Sequence, residues 1–342
     1  MKENTHPELR HGAAFMPEIL ARIAPVLGAR VVLEPEFGVV GQIEFKNGRK
    51  SYFWHNKFNL NSVSSAKIAQ DKAYTSFFLE QFGYSVPQTQ TFFSDRFLKH
   101  IDSNRNVAAA CAFAERIGWP VIVKPCRRSQ GAAVNLVYDK DSFWSSAERV
   151  FQIDRTLLVQ AYCPGRDYRI VTLDGDAISA YERVPLRVTG DGHSTISSLL
   201  SQLQDNFRSQ GRDTVINVED PRIGDTLRRN RLTVNSVIAA KETVSLLPVA
   251  NLSCGGTTID ITECLHPSVA ALAGKIADDM DLRFAGIDIV TGDATQPLGQ
   301  YTVLEVNSAP GLDHYGGSGE AHQELVDSLY LKVLRAIEKG AG

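Results

Sequence analysis

The chain has 342 residues, a length that corresponds to roughly two or three domains of about 100–200 residues each. Its hydrophobic fraction of 43% and charged fraction of 22% are ordinary for a globular protein, which argues against collagen, mucin, coiled coil and wholesale disorder. The formal net charge is −3, from 36 basic and 39 acidic residues, so charge gives no support to general nucleic-acid or anionic-membrane binding. We therefore expect a folded protein whose partners are neither nucleic acids nor membranes.

The cysteines and the apolar runs predict a cytoplasmic location. Five cysteines lie far apart and no C-x-x-C occurs, which argues against a disulfide framework or a zinc knuckle. The first residues, MKENTHPELRHG, contain no apolar stretch of the kind found in secretory signals. No apolar run approaches the ~18 residues that are needed to cross a bilayer.

The first part of the chain predicts helices and one hairpin. Residues 16–27 have the pattern of a short amphipathic helix, and alternating apolar residues flank Asn47-Gly48, the strongest short signal for a β-hairpin. A second helix is predicted over 64–81, with Gly83 placed where a terminating glycine belongs. Four aromatic residues spaced i, i+3, i+4 and i+8 predict one buried stripe on that helix: Tyr74, Phe77, Phe78 and Phe82.

The rest of the chain mixes strands and helices. The predicted strands are QTQTFF, VIVKP, VNLVY, TLLVQAY, DYRIVTL, AISAYERV, FAGIDIV and YTVLEVN. The predicted helices cover 106–117, 142–151, 194–204, 266–281 and 320–339. Residues 193–250 are the least regular, and we interpret them as an insertion or lid. This order predicts α+β layers with mostly antiparallel sheets, and neither common nucleotide fingerprint, G-x-G-x-x-G or G-x-x-x-x-G-K-[ST], occurs.

Three oxygen-bearing side chains mark two apolar strands near the C-terminus. Glu305 and Asn307 stand two residues apart at the end of VLEVN, so they point to the same face of that strand. Asp288 lies within GIDIV and joins them if the two strands pair. Two carboxylates and a carboxamide are hard oxygen ligands suited to Mg²⁺, which usually also binds substrate phosphates. Solvated strand ends are the alternative, and the convergence of three oxygen ligands within apolar strands favours the metal.

Two lysines provide a candidate phosphate site. Lys124 ends the apolar strand VIVKP, where a charge without a partner is unusual, and Lys72 lies in a helix beside Asp71. An ammonium group is a compact charge that suits phosphate oxygens. Each lysine by itself is more often a surface residue than a ligand.

Two loops add further candidates. The strand that runs into VQAYCPGRDYR can offer backbone groups to a planar base and Asp167 to ribose hydroxyls. Taken alone, this segment is better explained as a plain strand followed by a turn. The glycines of NLSCGGTT allow uncommon backbone angles, so its N–H groups can cradle a carboxylate or an acyl phosphate. A surface turn is the alternative there. Cys254 lies in this loop with no histidine beside it in sequence, which argues against thiol catalysis.

Taken in this order, the lysines, the strand exit, Asp288 and Glu305-x-Asn307 followed by SAPG resemble the ATP-grasp superfamily. The resemblance covers roughly residues 64–338. It is most specific to the ATP-grasp domains of cyanophycin synthetase and of bifunctional glutathione synthetases, through IVKP, GDGHSTISSLL, LTVNSV, VANLSCGGTTIDIT, HPSVAALA, AGIDIVT and EVNSAPGL. It implies an α+β ATP-grasp fold, in which two α+β subdomains grip ATP between antiparallel sheets, preceded by a short N-terminal α/β segment.

The resemblance also implies domain boundaries. Residues 1–63 form a reduced N-terminal segment, and residues 64–342 form the ATP-grasp domain. Within that domain, residues 106–163 are the ATP-lid subdomain. The C-terminal subdomain covers 164–342 and contains the insertion 193–250.

The same resemblance assigns residue roles. The implied ATP-binding residues are Lys72 and Lys124 at the phosphates, Gln160, Ala161 and Tyr162 at the adenine edge, and Asp167 at the ribose. The implied magnesium ligands are Asp288, Glu305 and Asn307. The implied catalytic residues are Arg183 and Lys124, close to the transferred phosphate. The implied substrate residues are Arg169, Asn251, Ser253, Gly255 and Gly256. Two features depart from the family: the phosphate-covering loop CRRSQGAA has only Gly131, and Gln160 stands where glutamate is usual.

The function implied by the resemblance is ATP-dependent ligation of a carboxylate to an amine through an acyl phosphate. The implied cofactors are ATP and Mg²⁺, with two metal ions and Mn²⁺ as a substitute. The expected partners are a small-molecule acid, a small-molecule amine and a second copy of the chain in a homodimer. Two alternatives are a small-molecule kinase on the same architecture and a nucleotide-binding sensor or scaffold without turnover.

Overall fold

Four antiparallel sheets organise the part of the chain that the computed structural model describes. The described residues are 15–127, 131, 133–209, 212, 214–250, 252–311 and 320–340. The predicted α+β architecture with antiparallel sheets is confirmed. In these residues, no helix combines the length and the apolar character that crossing a membrane requires.

The described residues of the N-terminal segment form an α-helix, a short 3-10 helix (Ala24–Leu27) and a four-stranded meander. Its elements are α1 (Phe15–Ile23), β1 (Arg30–Leu33), β2 (Val40–Glu44), β3 (Lys50–Trp54) and β4 (Lys57–Phe58). The predicted hairpin at Asn47-Gly48 joins β2 to β3, with Gly48 at a φ of +83° that favours glycine. The segment packs against the C-terminal helix, Glu320–Lys339, in a core that includes Leu20, Phe53 and Tyr330.

The helix predicted over 64–81 is in fact two helices. They are α2 (Val63–Ala69) and α3 (Lys72–Gln81). Asp71 separates them, because its side chain accepts the backbone N–H groups of Ala73 and Tyr74 as the N-cap of α3. An N-cap residue has extended backbone angles, so it cannot continue the preceding helix. Gly83 follows α3 at a φ of +84°, as predicted.

The predicted buried aromatic stripe on α3 is wrong for three of its four residues, whereas Phe78 is half-buried and packs against the core. Tyr74, Phe77 and Phe82 are 56%, 54% and 44% exposed, whereas Thr75 and Leu79 are buried. The aromatic spacing fits the period of a helix, but the face of α3 that packs into the protein carries Thr75, Phe78 and Leu79. Periodicity identifies a helix without saying which face meets the core.

The second sheet forms a layer with two helices on one face. Its elements are β5 (Thr89–Phe93), α4 (Asp95–Leu98), α5 (Val107–Ile117), β6 (Val121–Pro125), β7 (Asn135–Val137), α6 (Lys140–Phe151) and β8 (Thr156–Ala161), with strand order β5-β8-β6-β7. Val121, Val123 and Leu157 pack against α5 and α6. Because strand residues alternate, Lys124 and Gln160 lie on the other face. This layer overlaps the predicted lid subdomain, whose boundaries stay a prediction.

A five-stranded sheet, the central sheet, is packed on both of its faces. Its strands are β9 (Arg166–Leu173), β10 (Asp176–Val184), β13 (Thr257–Asp260), β14 (Phe284–Thr291) and β15 (Tyr301–Asn307), in the order β13-β10-β9-β14-β15. One face packs against α9 (Pro267–Asp279) through Ile170 and Ile287. The other face packs against the N-terminal segment through Val171 and Phe284.

Residues 193–250, which we interpret from the sequence as an insertion or lid, contain α7 (Ile196–Ser209), α8 (Pro221–Arg229) and β12 (Thr243–Ser245) among their described residues. β11 (Arg187–Thr189) precedes this segment and pairs with β12, and α10 (Glu320–Lys339) is the last described helix. We call residues 193–250 the insertion. The predicted helix near 194–204 is confirmed as α7, and α8 was not predicted. Its sequence, PRIGDTLRR, buries only Ile223 and Leu227, one turn apart, and this signal is weak beside its charge.

Candidate active site

A row of charged side chains crosses the central sheet. The strand register places Asp288 of β14 opposite both Glu305 of β15 and Arg169 of β9. On the next pair of strands, Arg183 of β10 lies opposite Asp167 of β9. The face that is apolar farther along these strands therefore becomes charged at this end, because alternate residues share a face.

Asp288 binds two guanidinium groups. Arg169 donates to both of its carboxylate oxygens, through Nε and Nη2 at 2.6 Å each, and Arg183 Nη2 lies 2.8 Å from Oδ2. Arg183 also donates to Asp167 Oδ1 through Nη2 at 2.7 Å. Asp288 is only 1% exposed, so these contacts compensate the burial of its charge.

Glu305 lies among cations from four other elements, α3, β6, β9 and β10. Its carboxylate lies 3.3 Å from Lys72 Nζ and 3.7 Å from Arg169 Nη2, and it accepts a hydrogen bond from Asn307 Nδ2 at 3.2 Å. Burial raises the pKa of Glu305, but Lys72 and Lys124 outweigh burial and hold that pKa well below its ordinary value. Glu305 is therefore a carboxylate at neutral pH.

Lys124 is a buried cation whose hydrogen-bond acceptor is neutral. Its Nζ donates to Gln160 Oε1 at 2.8 Å, and Gln160 Nε2 in turn donates to Thr89 Oγ1 at 3.1 Å. Burial lowers the pKa of Lys124 to about 8, although nearby Glu305 opposes this effect. Because its hydrogen-bond acceptor carries no charge, the charge of Lys124 is available to an incoming anion.

Asp71 is a further residue of the site, to which the sequence motifs assigned no role. Besides capping α3, it accepts hydrogen bonds from Cys126 Sγ at 3.2 Å and Arg127 Nε at 2.8 Å. These contacts join the helix that carries Lys72 to the start of the covering loop, which we define as CRRSQGAA (residues 126–133) together with Val134. An acidic residue just before a helix was the sequence signal for its capping role, whereas the contacts across the fold left no local signal.

The predicted adenine edge lies where β8 ends. Ala161 donates its N–H to the Gln88 carbonyl at 2.9 Å, and Tyr162 next to it is partly exposed. Asp167, predicted to bind the ribose, accepts from Arg183 in this structure. The roles assigned to these residues stay predictions.

The glycine-rich loop, residues 252–256, is attached to the insertion. Arg212 Nη2 donates to the carbonyl oxygens of Leu252 and Gly256, at 2.7 and 2.6 Å. Gly255 has a φ of +94°, and an added Cβ would lie 3.0 Å from a Leu186 methyl group. Of the other predicted substrate residues, Ser253 lies in this loop and Asn251 lies outside the described residues.

The composition of the cluster suits a nucleotide polyphosphate with a divalent cation. It contains four cationic side chains and three carboxylates: Lys72, Lys124, Arg169 and Arg183, with Asp167, Asp288 and Glu305. Among the described residues, no three His, Cys, Asp or Glu side chains form a metal site by themselves. Glu305 and Asn307 supply hard oxygens for Mg²⁺, with ligands left for phosphate. A cation bound to Asp288 would replace a guanidinium group there.

Comparison with known proteins decides the family. The sequence model described as D-ala D-ala ligase C-terminus matches residues 78–193. Cyanophycin synthetase from Trichormus variabilis is 37% identical over 204 residues, which is 57% of this chain and 22% of that protein. This chain contains an ATP-grasp domain. The resemblance inferred from the sequence motifs is confirmed.

Other relatives of the ATP-grasp domain agree with this assignment. The glutathione biosynthesis bifunctional protein GshAB from Mannheimia succiniciproducens is 30% identical over 268 residues, covering 75% of this chain and 34% of that protein. The crystal structure of a bifunctional glutathione synthetase from Pasteurella multocida matches with a TM-score of 0.56 and 23% identity, over 89% of this chain and 42% of that one. This likeness shows the ATP-grasp fold.

The chain spans between about a fifth and two fifths of the length of the curated relatives it matches, from 22% to 38%. The matched regions are thus parts of larger proteins. The reaction of this chain therefore has to be argued from its own residues.

Proposed function

We propose that this protein is an ATP-dependent ligase that joins a carboxylate to an amine through an acyl phosphate. The observation that carries the proposal is the charged row on the central sheet, with a surplus of cations and with Lys72 and Lys124 at its edge. Such a cluster binds polyphosphate, and its carboxylates retain negative charge for a divalent cation. The family model is also named for a ligase.

In the first step, a carboxylate oxygen of the acid attacks the γ-phosphorus of ATP. The bond from that phosphorus to the bridging oxygen breaks, ADP leaves and an acyl phosphate forms. Lys72 and Lys124 bind the phosphates and Arg183 neutralises charge on the transferred group, so positioning and electrostatics supply most of the catalysis. Mg²⁺, when bound at Glu305, Asn307 and Asp288, adds charge neutralisation.

In the second step, the amine nitrogen attacks the acyl carbon. Inorganic phosphate leaves, the nitrogen loses a proton and an amide bond remains. Arg169 and the glycine-rich loop hold the acid, which we propose to be an amino acid or a short peptide. The acceptor is an amino acid or another small amine, and the chain acts as a homodimer in the cytoplasm.

ADP release distinguishes this proposal from a kinase and from a sensor. Full-length protein is incubated with ATP and MgCl₂ alone, then with single amino acids added, and then with amino acids added in pairs. ADP release is measured, and the masses of the products are determined by mass spectrometry. A ligase releases ADP with a productive pair and yields the mass of acid plus amine less water. A phosphorylated product from one hydroxyl compound indicates a kinase, and ATP binding without ADP release from any pair indicates a sensor.

Cys254→Ser is expected to keep at least about a third of the wild-type kcat, a loss under 1 kcal/mol in the activation barrier. The acyl group is carried on phosphate, and a serine hydroxyl can still accept from Arg222, whose Nη2 lies 3.6 Å from the sulfur. Steady-state ADP release measures the effect, with exposed Cys264→Ser as the control. An acyl group trapped on Cys254 would contradict the acyl-phosphate route.

ATP affinity is expected to fall as pH rises above 8, by up to about tenfold per pH unit. Lys124 has a pKa of about 8, set by burial and by Glu305, Lys72, Cys126 and Asp288 around it, and only its protonated form attracts phosphate. The contribution of Lys124 to the free energy of unfolding rises over the same pH range. Between pH 8 and the ordinary pKa of 10.5, the unfolded chain keeps this proton whereas the folded chain loses it. Calorimetric titrations between pH 7 and 9.5 test the prediction, and an equally steep profile in Lys124→Ala contradicts it.

A further inference from the structure

Arg222, at the start of α8, bridges two loops that are far apart in sequence. Its Nη1 donates to the carbonyl oxygens of Gly131 and Val134 in the covering loop, at 3.1 and 3.3 Å. Its Nη2 lies 3.6 Å from Cys254 Sγ in the glycine-rich loop. Asp220 fixes the guanidinium through Nε at 3.0 Å and Nη2 at 2.6 Å. One side chain of the insertion therefore contacts both loops.

Two more arginines attach the insertion to the same two regions. Arg212 holds the carbonyl oxygens of Leu252 and Gly256, as described above. Arg229, seven residues after Arg222 on the same face of α8, places its guanidinium 3.3 Å from the ring centroid of Tyr138, just beyond β7. The insertion thus contacts the layer formed by β5 to β8 with α5 and α6, here called the lid layer, through α8. It contacts the glycine-rich loop through Arg212.

The insertion is packed well enough to transmit a displacement. Its residues Ile196, Phe207, Leu227 and Leu246 form a hydrophobic core together with Leu186, which precedes the insertion. A close-packed core moves as a unit rather than deforming locally. A change at the covering loop therefore reaches the glycine-rich loop through Arg222.

We propose that Arg222 is a positioning residue that couples nucleotide binding at the covering loop to the order of the glycine-rich loop. The inference rests on the proposed function, in which the first loop covers ATP and the second holds the acid. Nucleotide bound against the covering loop fixes the Gly131 and Val134 carbonyls, and Arg222, which contacts both, then holds Cys254 and its neighbours in place. By reciprocity, an acid bound at the second loop strengthens nucleotide binding.

Arginine suits this role because its fork offers five N–H donors in a fixed plane. In this structure those donors serve an acidic side chain, two carbonyl groups and a sulfur at once. A lysine ammonium at this position would retain the attraction to Asp220 but could not span both loops. The coupling therefore depends on the shape of the group as well as on its charge.

Hydrogen–deuterium exchange of the full chain tests the coupling without knowledge of the substrate. The probe is magnesium AMP-PNP, a non-hydrolysable ATP analogue, at a concentration that calorimetry shows to be saturating for each variant. In the wild type, the nucleotide is expected to slow exchange in peptides covering 252–260 at least about fivefold, the lower end of ordinary coupling between sites. In Arg222→Met, the nucleotide still binds and this protection is lost.

Three matched variants complete the test. Arg228→Met removes an arginine of the same helix that is 78% exposed and pairs with Asp225, so it should keep the protection. Arg222→Lys should lose it although the charge remains. If Arg222→Met does not fold, as judged by circular dichroism, the double variant Asp220→Asn with Arg222→Met replaces it, because this leaves no unpaired carboxylate and Asn still caps α8.

The possible outcomes separate the two proposals. A wild-type chain that binds no AMP-PNP contradicts the proposed function. A wild-type chain that binds AMP-PNP without protection at 252–260 contradicts the coupling alone. Protection that persists in Arg222→Met, or in the double variant that replaces it, also overturns the coupling.

Discussion

Glu305→Gln is expected to lower ADP release by about 100-fold or more while leaving the fold intact, as the loss of one preorganised electrostatic group typically does. Glu305 is a carboxylate at neutral pH because Lys72 and Lys124 hold its pKa low. Glutamine has nearly the same shape and still accepts a hydrogen bond, but it carries no charge for a divalent cation. It also leaves Lys72 without its carboxylate partner.

The measurement is a turnover assay over a series of MgCl₂ concentrations, with circular dichroism and thermal unfolding to confirm the fold. Glu182→Gln is the matched control, because Glu182 lies on the same sheet and pairs with Arg166 outside the charged row. Mn²⁺ binding by electron paramagnetic resonance gives a readout that does not depend on turnover. Near-wild-type ADP release from folded Glu305→Gln at limiting magnesium would remove Glu305 from the metal site.

Lys124→Ala is expected to weaken ATP binding about ten- to a hundredfold, since a charge-assisted contact to phosphate contributes roughly 1.5–3 kcal/mol. Lys124 is almost fully buried on the face of the lid sheet opposite to α5 and α6, and it contacts Gln160 rather than a carboxylate. The variant removes a cation that the free protein keeps available for an anion. Phosphoryl transfer should also slow.

Calorimetric titration of ATP with magnesium and no acid measures this effect. Lys140→Ala is the control, because Lys140 belongs to the same layer but is exposed and pairs with Glu115. Unchanged ATP affinity in Lys124→Ala, with a raised KM for the acid alone, would place Lys124 on the substrate side. The phosphate role inferred for this residue would then be wrong.

Local sequence patterns predicted much of the secondary structure. Apolar runs predicted β6, β14 and β15, the Asn47-Gly48 pair predicted the hairpin between β2 and β3, and Gly83 predicted the end of α3. Each of these features depends on residues close in sequence, whose backbone preferences and alternation can be read directly. The order of motifs along the chain was sufficient to indicate the ATP-grasp family.

The helix predictions that were wrong or missed concern residues whose environment is set by an element elsewhere in the chain. The aromatic residues of α3 have helical spacing, but the helix turns Leu79 to the core instead. The predicted single helix over 64–81 breaks at Asp71, which accepts from Cys126 and Arg127 some 55 residues later. The charged helix α8 is stabilised by the insertion's core, a contribution that its own sequence does not show.

The sequence by itself determined the family, most of the longer strands and the residue types of the site, including the shared face of Glu305 and Asn307. The strands β1, β4, β11 and β13 were not predicted. Only the tertiary structure decided how those residues pair. Arg169 and Asp288 are 119 positions apart, and the register of β9 against β14 brings them to 2.6 Å. Arg222 reaches Gly131 across 91 positions because the insertion packs beside the lid layer. Backbone preference and side-chain alternation are local properties, whereas strand register and packing depend on the whole chain at once.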